Sequence, residues 1–313
     1  MRPLQVDSHP EAGLFSRTRR GQRAETGHPG VSAWIVEKLY ESWRQSFLAS
    51  KTLFEARTDH QHLAIFENPQ FGRVMVLDDV IQVTTGDEFV YHEMLTHVPM
   101  LAHGNAVEIL VVGGGDGGIL REVLKHKQVT KAVLVEIDQG VVDMSIEHMP
   151  SVSAGAYEDP RVQVVIQDGV EYMAEDGQKF DVIIIDSTDP AGPGEVLFTE
   201  SFYKNCAKRL KPGGIFTCQN GVPFMQGDEL TDTQRRRKPH FKDAAFYVAA
   251  VPTYVGGFMA LGWATQDASY RKQGVDVIKK RYDANPFPTR YWTPDLHVAS
   301  FALPRYVQEL MEK

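Results

Sequence analysis

Between Lys51 and Thr85 apolar and polar residues alternate in short runs, Thr52–Arg57, Leu63–Glu67, Arg73–Leu77 and Val80–Thr84. Turn signals at Asp59, Asn68-Pro69, Gly72 and Asp78-Asp79 separate them. A period of two with one apolar face predicts half-buried strands, so this stretch reads as a small antiparallel β-domain. From Glu88 to Leu101 the apolar residues Phe89, Leu95, Val98 and Leu101 shift to three- and four-residue spacing, which predicts a helix with Tyr91, His92 and Glu93 in its early turns. Beyond Val107 the pattern changes again. Short Val/Ile-rich runs (Glu108–Val112, Ala132–Val135, Val162–Ile166, Asp181–Ile185, Gly214–Gln219) alternate with helical stretches (Gly117–Lys127, Gly140–His148, Val170–Ala174, Glu200–Leu210). Nearly continuous apolar strands interleaved with helices predict a mostly parallel sheet covered by helices on both faces. Tyr247–Thr253 and Gly257–Thr265 read as added strands and Pro304–Glu312 as a final helix.

This pattern divides the chain into an extension over residues 1–30, an N-terminal β-domain over 31–97 and an α/β domain over 98–313. The extension carries Pro3, Pro10, Pro29 and an arginine cluster (Arg17, Arg19, Arg20, Arg23) without apolar periodicity, and is expected to be a disordered tail or a start-site artefact. Asp7, Glu11 and Glu25 argue against a transit peptide, and there is no apolar run for a secretory signal.

Composition narrows the function classes. Lys and Arg number 33 against 41 Asp and Glu, a net charge of -8, so no general attraction to nucleic acid or an anionic membrane is expected, and a small cationic substrate suits the balance better. The longest apolar runs, such as Val182–Ile185, fall far short of the roughly 20 residues of a membrane span. The two cysteines, Cys206 in a predicted helix and Cys218 in a predicted strand, lack disulfide or metal-ligand spacing and are expected to be reduced core residues of a cytoplasmic protein. No cluster has metal-site spacing and no Gly-x-Ser-x-Gly elbow occurs, which disfavours metalloenzyme and hydrolase readings.

In an open α/β sheet ligands bind beyond the carboxyl ends of the strands, and four of those ends carry acids here. The first runs into Gly113-Gly114-Gly115-Asp116-Gly117-Gly118, a turn that lets backbone approach a ligand closely. Asp116 within it would repel a pyrophosphate, which disfavours nicotinamide and flavin dinucleotides. The second strand ends at Glu136, where an acid accepts hydrogen bonds from ribose hydroxyls, and the third at Gln167-Asp168-Gly169, where Asp168 is placed to accept from an adenine amino group. Taken singly, each of these acids also reads as a helix cap; their succession points to an adenosine-containing ligand without phosphates. The fourth strand ends in Asp186-Ser187-Thr188-Asp189-Pro190, and with Asp116 nearby these carboxylates form an anionic pocket for an amine or a sulfonium. A protonated amine has no lone pair, so one carboxylate must take a proton, and Asp186 on the strand end is the stronger candidate. Asp189 reads equally as a turn residue. His92 and Tyr254 read either as substrate contacts or as packed residues at a domain junction.

Together the segments 113–118, Val135-Glu136-Ile137-Asp138, Gln167-Asp168-Gly169 and 186–190 resemble the spermidine synthase (polyamine aminopropyltransferase) family. Asp59-His60-Gln61, Gly72–Asp78, Asp87–Met94 and Pro252–Gly257 extend the resemblance from about Trp34 to the C-terminus. The resemblance implies a small β-domain before a methyltransferase-like Rossmann fold, a homodimer or homotetramer, and transfer of an aminopropyl group from decarboxylated S-adenosylmethionine to putrescine. The donor is then a co-substrate, and neither a cofactor nor a metal is implied. Carried over by position, Gln61, Asp116, Glu136, Asp168, Gly169 and Pro193 are expected at the donor or its methylthioadenosine product. Gln82, Tyr91, His92, Asp116, Asp186, Ser187, Thr188, Asp189 and Tyr254 are expected at the amine, with Asp186 as proton acceptor. The chain departs from the commonest family pattern at His92, where many relatives carry Gln, and putrescine, cadaverine, agmatine and spermidine all remain candidate acceptors. Two rivals share the pocket: a methyltransferase of the same fold, which Asp116 and the 186–190 segment oppose, and a non-catalytic polyamine-binding protein.

Overall fold

The structure, a computed structural model, describes residues 33–188 and 196–313. The expected N-terminal extension lies outside them. Ala33–Val36 (β1) and Ser46–Ala49 (β2) pair as a short antiparallel ribbon, and Lys51–Arg57 (β3), His62–Asn68 (β4), Gly72–Leu77 (β5) and Val80–Thr84 (β6) form a four-stranded meander. Helix Glu88–His103 (α1) leads into the larger part. There Glu108–Gly113 (β7), Gly118–Leu124 (α2), Lys131–Glu136 (β8), Gln139–His148 (α3), Pro150–Ser153 (α4), Val162–Ile166 (β9), Gly169–Ala174 (α5), Phe180–Asp186 (β10), Glu200–Arg209 (α6) and Leu210–Gln219 (β11) follow in turn. The chain closes with Gly227–Arg237 (α7), Asp243–Ala250 (β12), Phe258–Thr265 (β13), Val275–Ala284 (α8), Pro294–Ala299 (α9) and Arg305–Glu312 (α10).

Seven strands form one sheet in the order β12-β13-β11-β10-β7-β8-β9, parallel from β11 to β9, with β13 antiparallel to β11 and β12 to β13. Alternate residues of its central strands enter two cores. Ile109, Val111, Ala132, Leu134, Val182 and Ile184 pack with α1 and α2, and Leu110, Val112, Val133, Val135, Ile183 and Ile185 with α5 and α6. Both faces being covered explains why these strands read as continuous apolar runs, and each such Val or Ile withdrawn from water contributes about 1.5–3 kcal/mol. The meander is fastened to the large sheet's helices by a third cluster, in which Leu63, Ile65, Met75 and Leu77 meet Val141 of α3, Met149 between α3 and α4, and Val152 of α4.

The sheet order fixes where a ligand can enter. From β7 the chain steps outward through β8 and β9, then returns to place β10 on the other side of β7, so the loops after β7 and β10 diverge and leave a crevice between them. Several elements differ from expectation. The border expected between residues 97 and 98 falls inside α1, a single helix whose apolar side packs on the large sheet from Val90 onward. Helix α2 stops at Leu124 rather than Lys127, and β12 covers Asp243–Ala250, not Tyr247–Thr253, because Asp243 pairs with Thr265 while Thr253 bonds to Asp87. Helices α7, α8 and α9 and the β1-β2 ribbon were not expected.

Candidate active site

At the crevice the ends of β7 and β10 are pressed together, with Asp186 in register with Gly113. A Cβ on Gly113 would lie 2.1 Å from the Asp186 carbonyl oxygen and one on Gly114 2.7 Å from Asp186 Oδ2, and both residues have positive φ, 77° and 73°. Only glycine fits such a turn at so close an approach. The chain then curls through Asp116, whose Oδ1 accepts the Gly118 amide at 2.7 Å and so opens α2. Tyr157 braces the turn from the far side, donating its hydroxyl to Gly115 O at 2.8 Å.

Two adjacent residues of α1 reach the two acids. Tyr91 donates its hydroxyl to Asp186 Oδ1 at 2.7 Å, and His92 Nε2 stands 3.5 Å from Asp116 Oδ2. Burial pushes the Asp186 carboxyl up, and the negative charge of Asp116 adds to the effect. The charge on His92 and the Tyr91 hydrogen bond work against it, leaving Asp186 at about 6. Burial and Asp186 together push the Tyr91 phenol well above its ordinary range, so it stays a donor. One strand over, the Glu136 carboxylate accepts the Gly115 amide at 3.2 Å and the Asp138 amide at 2.9 Å, while burial pushes it up to about 7. Asp168, at the end of β9, caps α5 through the Val170 amide at 2.7 Å. The helix-cap and pocket readings of that residue therefore coexist in one side chain.

The β-meander and the loop before β13 complete the walls. Gln61 reaches in from the β3-β4 turn, its Nε2 held by Asp138 Oδ2 at 2.9 Å, and the same oxygen accepts from Thr58 at 2.7 Å. Tyr254 sets its ring edge-on to Tyr91, centroids 5.8 Å apart, and donates its hydroxyl to the Gln82 carbonyl at 2.9 Å. Asp87 ties that loop to the start of α1 by accepting from the Thr253 amide at 2.7 Å and its hydroxyl at 2.5 Å.

One pocket takes in Gln61, Gln82, Tyr91 and Tyr254 together with the acids, and its described lining holds Glu37, Asp116, Glu136, Asp168 and Asp186 with His92, but no lysine or arginine. Such a lining attracts cations.

Comparison with known proteins fits this geometry. A model of the spermine/spermidine synthase domain matches residues 88–273, and one of the spermidine synthase tetramerisation domain matches residues 33–85. The chain belongs to the spermine/spermidine synthase family. Proteins named polyamine aminopropyltransferase match at 53% identity over 277 residues in Ruegeria sp. (88% of this chain, 98% of the relative) and at 52% over 277 residues in Pseudomonas syringae pv. tomato (88% and 97%). A relative of that name in Escherichia coli is 50% identical over 275 residues, covering 88% of this chain and 96% of its own. Among solved structures, a spermidine synthase in complex with the transition-state analogue AdoDATO superposes with a TM-score of 0.83 at 37% identity, covering 91% of this chain and 97% of that one. Spermidine synthase from Thermotoga maritima gives 0.83 at 36% identity, covering 91% and 96%.

Of the residues picked out for this family's site, Gln61, Gln82, Tyr91, His92, Asp116, Glu136, Asp168, Gly169, Asp186, Ser187, Thr188 and Tyr254 all line the one pocket. Asp189 and Pro193 lie outside the described residues. Gly169 packs so tightly that a Cβ would sit 2.4 Å from Val112 Cγ1, which keeps the α5 start close under β7. Sequence reasoning missed Glu37, a buried acid on the pocket wall whose carboxylate accepts from the Ile81 amide at 3.0 Å and Gln45 Nε2 at 2.8 Å. It also missed Asp138, which positions Gln61. The signal for Asp138 was the N-cap position after β8; Glu37 sits in a stretch without periodicity and gave none.

Proposed function

We propose that this chain is a polyamine aminopropyltransferase, a spermidine synthase that moves the aminopropyl group of decarboxylated S-adenosylmethionine to putrescine and releases 5′-methylthioadenosine. The observation that carries the reading is the acid-lined pocket at the β7/β10 crevice, free of lysine and arginine among its described lining residues. On this reading Glu136 takes the ribose hydroxyls, Asp168 the adenine amino group, and Gln61 and Gly169 flank the nucleoside, with Pro193 joining them by family resemblance. Asp116 faces the aminopropyl ammonium and excludes the carboxylated donor, whose own carboxylate would meet this anion. Tyr91, His92, Gln82, Tyr254 and residues 186–189 form the amine side.

The reaction is a substitution at carbon. Asp186 accepts a proton from one amine nitrogen, that nitrogen's lone pair forms the new N–C bond, and the C–S bond breaks with its electron pair passing to sulfur, which leaves neutral. Seating a sulfonium and an ammonium beside Asp186 draws its carboxyl back down and keeps it ionised until the proton moves. Holding both reactants in line replaces an encounter in water, for which effective molarities can reach about 10⁵ M or more.

The family model over residues 33–85 supports assembly as a homodimer or homotetramer. No helix among the described residues is long and apolar enough to cross a membrane, and both cysteines are free and buried, which supports a cytoplasmic location. The test offers the decarboxylated donor with a panel of putrescine, cadaverine, agmatine and spermidine and quantifies methylthioadenosine. Release dependent on putrescine is expected. Adenosylhomocysteine formed from ordinary S-adenosylmethionine would mark a methyltransferase, and binding without product a sensor.

A further inference from the structure

A line of alternating charge leads away from the pocket into the protein. His92, 2% exposed, lies between two carboxylates: Nδ1 is 2.6 Å from Glu88 Oε2, one helical turn earlier, and Nε2 faces Asp116 Oδ2 at 3.5 Å. Glu88 is in turn gripped by Arg121 of α2, Nη1 to Oε1 at 2.9 Å and Nη2 to Oε2 at 2.7 Å. The rest of the guanidinium is committed as well, Nε to Glu122 Oε1 at 2.7 Å and Nη1 to the Val152 carbonyl at 2.7 Å, while Lys125 reaches Glu122 Oε2 at 2.7 Å. A forked donor with every nitrogen engaged cannot swing, and lysine could not reproduce it.

We propose that Glu88 and Arg121 are positioning residues that hold His92 as an imidazolium against Asp116, so that a fixed cation stands beside the two pocket carboxylates, Asp116 and Asp186. Two like charges in a buried site disfavour each other, and a fixed cation between them and the interior offsets that repulsion. Asp116 and Asp186 face His92 from the ends of β7 and β10, Tyr91 stands beside it on α1 with ring centroids 5.6 Å apart, and Tyr157 lies behind the glycine turn. Burial alone favours neutral imidazole, but Asp116 and Glu88 outweigh it and carry His92 up to about 10. Burial likewise opposes the charge on Glu88, and His92 and Arg121 overcome it, holding that carboxyl well below the usual range. Helix α2 is built for the task. A Cβ at Gly118 would lie 2.2 Å from His92 Cε1, and Arg121 stands one turn later on the same face, so one residue clears room for the ring and the other clamps its partner.

The purpose assigned to the held charge rests on the aminopropyl-transfer reading; the charge itself does not. The experiment therefore has two arms on the full chain. In the first, ¹⁵N-histidine NMR follows His92 from pH 5 to 10 in the wild type, E88Q and R121K. The ring is expected to stay doubly protonated past neutrality in the wild type, and its midpoint to fall by about 1–3 pH units in E88Q. A wild-type midpoint near 6.5, or one unmoved in E88Q, would overturn the proposal. In the second arm the alkaline limb of kcat/KM for the amine is expected to move to lower pH in E88Q, because His92 discharges earlier there and leaves the pocket carboxylates without their cation. Should E88Q not fold, R121K supplies the same two readouts with a smaller displacement. A fallen His92 midpoint with an unmoved alkaline limb would overturn the link to the pocket carboxylates, whereas absence of methylthioadenosine from the wild type would overturn the transfer reading and leave the NMR arm to judge the clamp.

Discussion

Asp186→Asn keeps an oxygen to accept the Tyr91 hydroxyl, now 2.7 Å from Asp186 Oδ1, and removes only the charge and the basic lone pair. Its consequences for rate and for stability have opposite signs. As general base, Asp186 is worth about 10²–10⁴ in turnover, so the variant should lose at least about 10² in kcat while the acid limb centred on about 6, a property of the free site, disappears from its kcat/KM profile. Stability moves the other way. The carboxyl titrates at about 6 when folded against 3.8 for the ordinary group, so the folded state holds the proton more tightly and the protein loses stability as pH rises through that window. Above it the buried charge costs about 3 kcal/mol at 1.36 kcal/mol per pKa unit, an upper figure that Asn avoids. At about 1.5 °C per kcal/mol for a chain of this length, Asp186→Asn should melt roughly 4–5 °C higher than the wild type at pH 8, and the advantage should vanish at pH 4. The assays are methylthioadenosine release and thermal denaturation at both pH values. Turnover within a factor of a few of wild type would remove Asp186 as the base, and an unchanged or lower melting temperature at pH 8 would refute the claim that burial and Asp116 hold it up.

Gly118→Ala forces a methyl to within 2.2 Å of the His92 ring, which Glu88 and Asp116 already flank, so kcat/KM should fall about 10–100-fold while far-ultraviolet circular dichroism stays unchanged. Glu93→Ala strips the acceptor from the amides of Arg290, Tyr291 and Trp292, at 2.7, 2.8 and 2.8 Å, and because the Trp292 amide is buried and left unpaired, at about 1–3 kcal/mol, should destabilise the chain by at least about 1 kcal/mol in urea titration. Because His92 is raised from 6.5 to about 10, its charge stabilises the fold fully below pH 6.5, and that contribution is lost as pH climbs to about 10. The wild-type melting temperature should therefore decline more steeply across this window than that of E88Q.

The parallel sheet was legible because both its faces are buried: Val182 to Ile185 read as one apolar run for the same reason that they split between two cores. The acids at the strand ends were legible because an α/β sheet gathers its loops at one edge, so position along the chain implied proximity in space. Helix α7 was not legible from apolar spacing, since only Leu230 of its buried residues is apolar and Thr233, Gln234 and Arg237 fill the rest of that face. Its charges did mark it, with Asp228 and Glu229 in the first turn and Arg235, Arg236 and Arg237 in the last, as the helix dipole favours. The β1-β2 ribbon escaped because Trp34 and Val36 are exposed at 65% and 41%, which erases the alternation that announces a half-buried strand.

What sequence cannot carry is the pairing between elements. Glu88 and Arg121 are separated by 33 residues, and each reads alone as an ordinary helix-surface charge. Only when α1 crosses α2 does the pair close on His92, and that crossing is set by apolar residues that say nothing of charge, Leu95 and Val98 on one helix, Ile119, Leu120 and Val123 on the other. The same packing that makes the core thus brings a cation to the edge of an acidic pocket. A single rotation of α2 by one residue would carry Arg121 about 100° around the helix and leave Glu88, His92 and Asp116 as a buried cluster with excess negative charge. The pocket's capacity to bind cations therefore depends on helix packing as much as on the carboxylates that face the ligand.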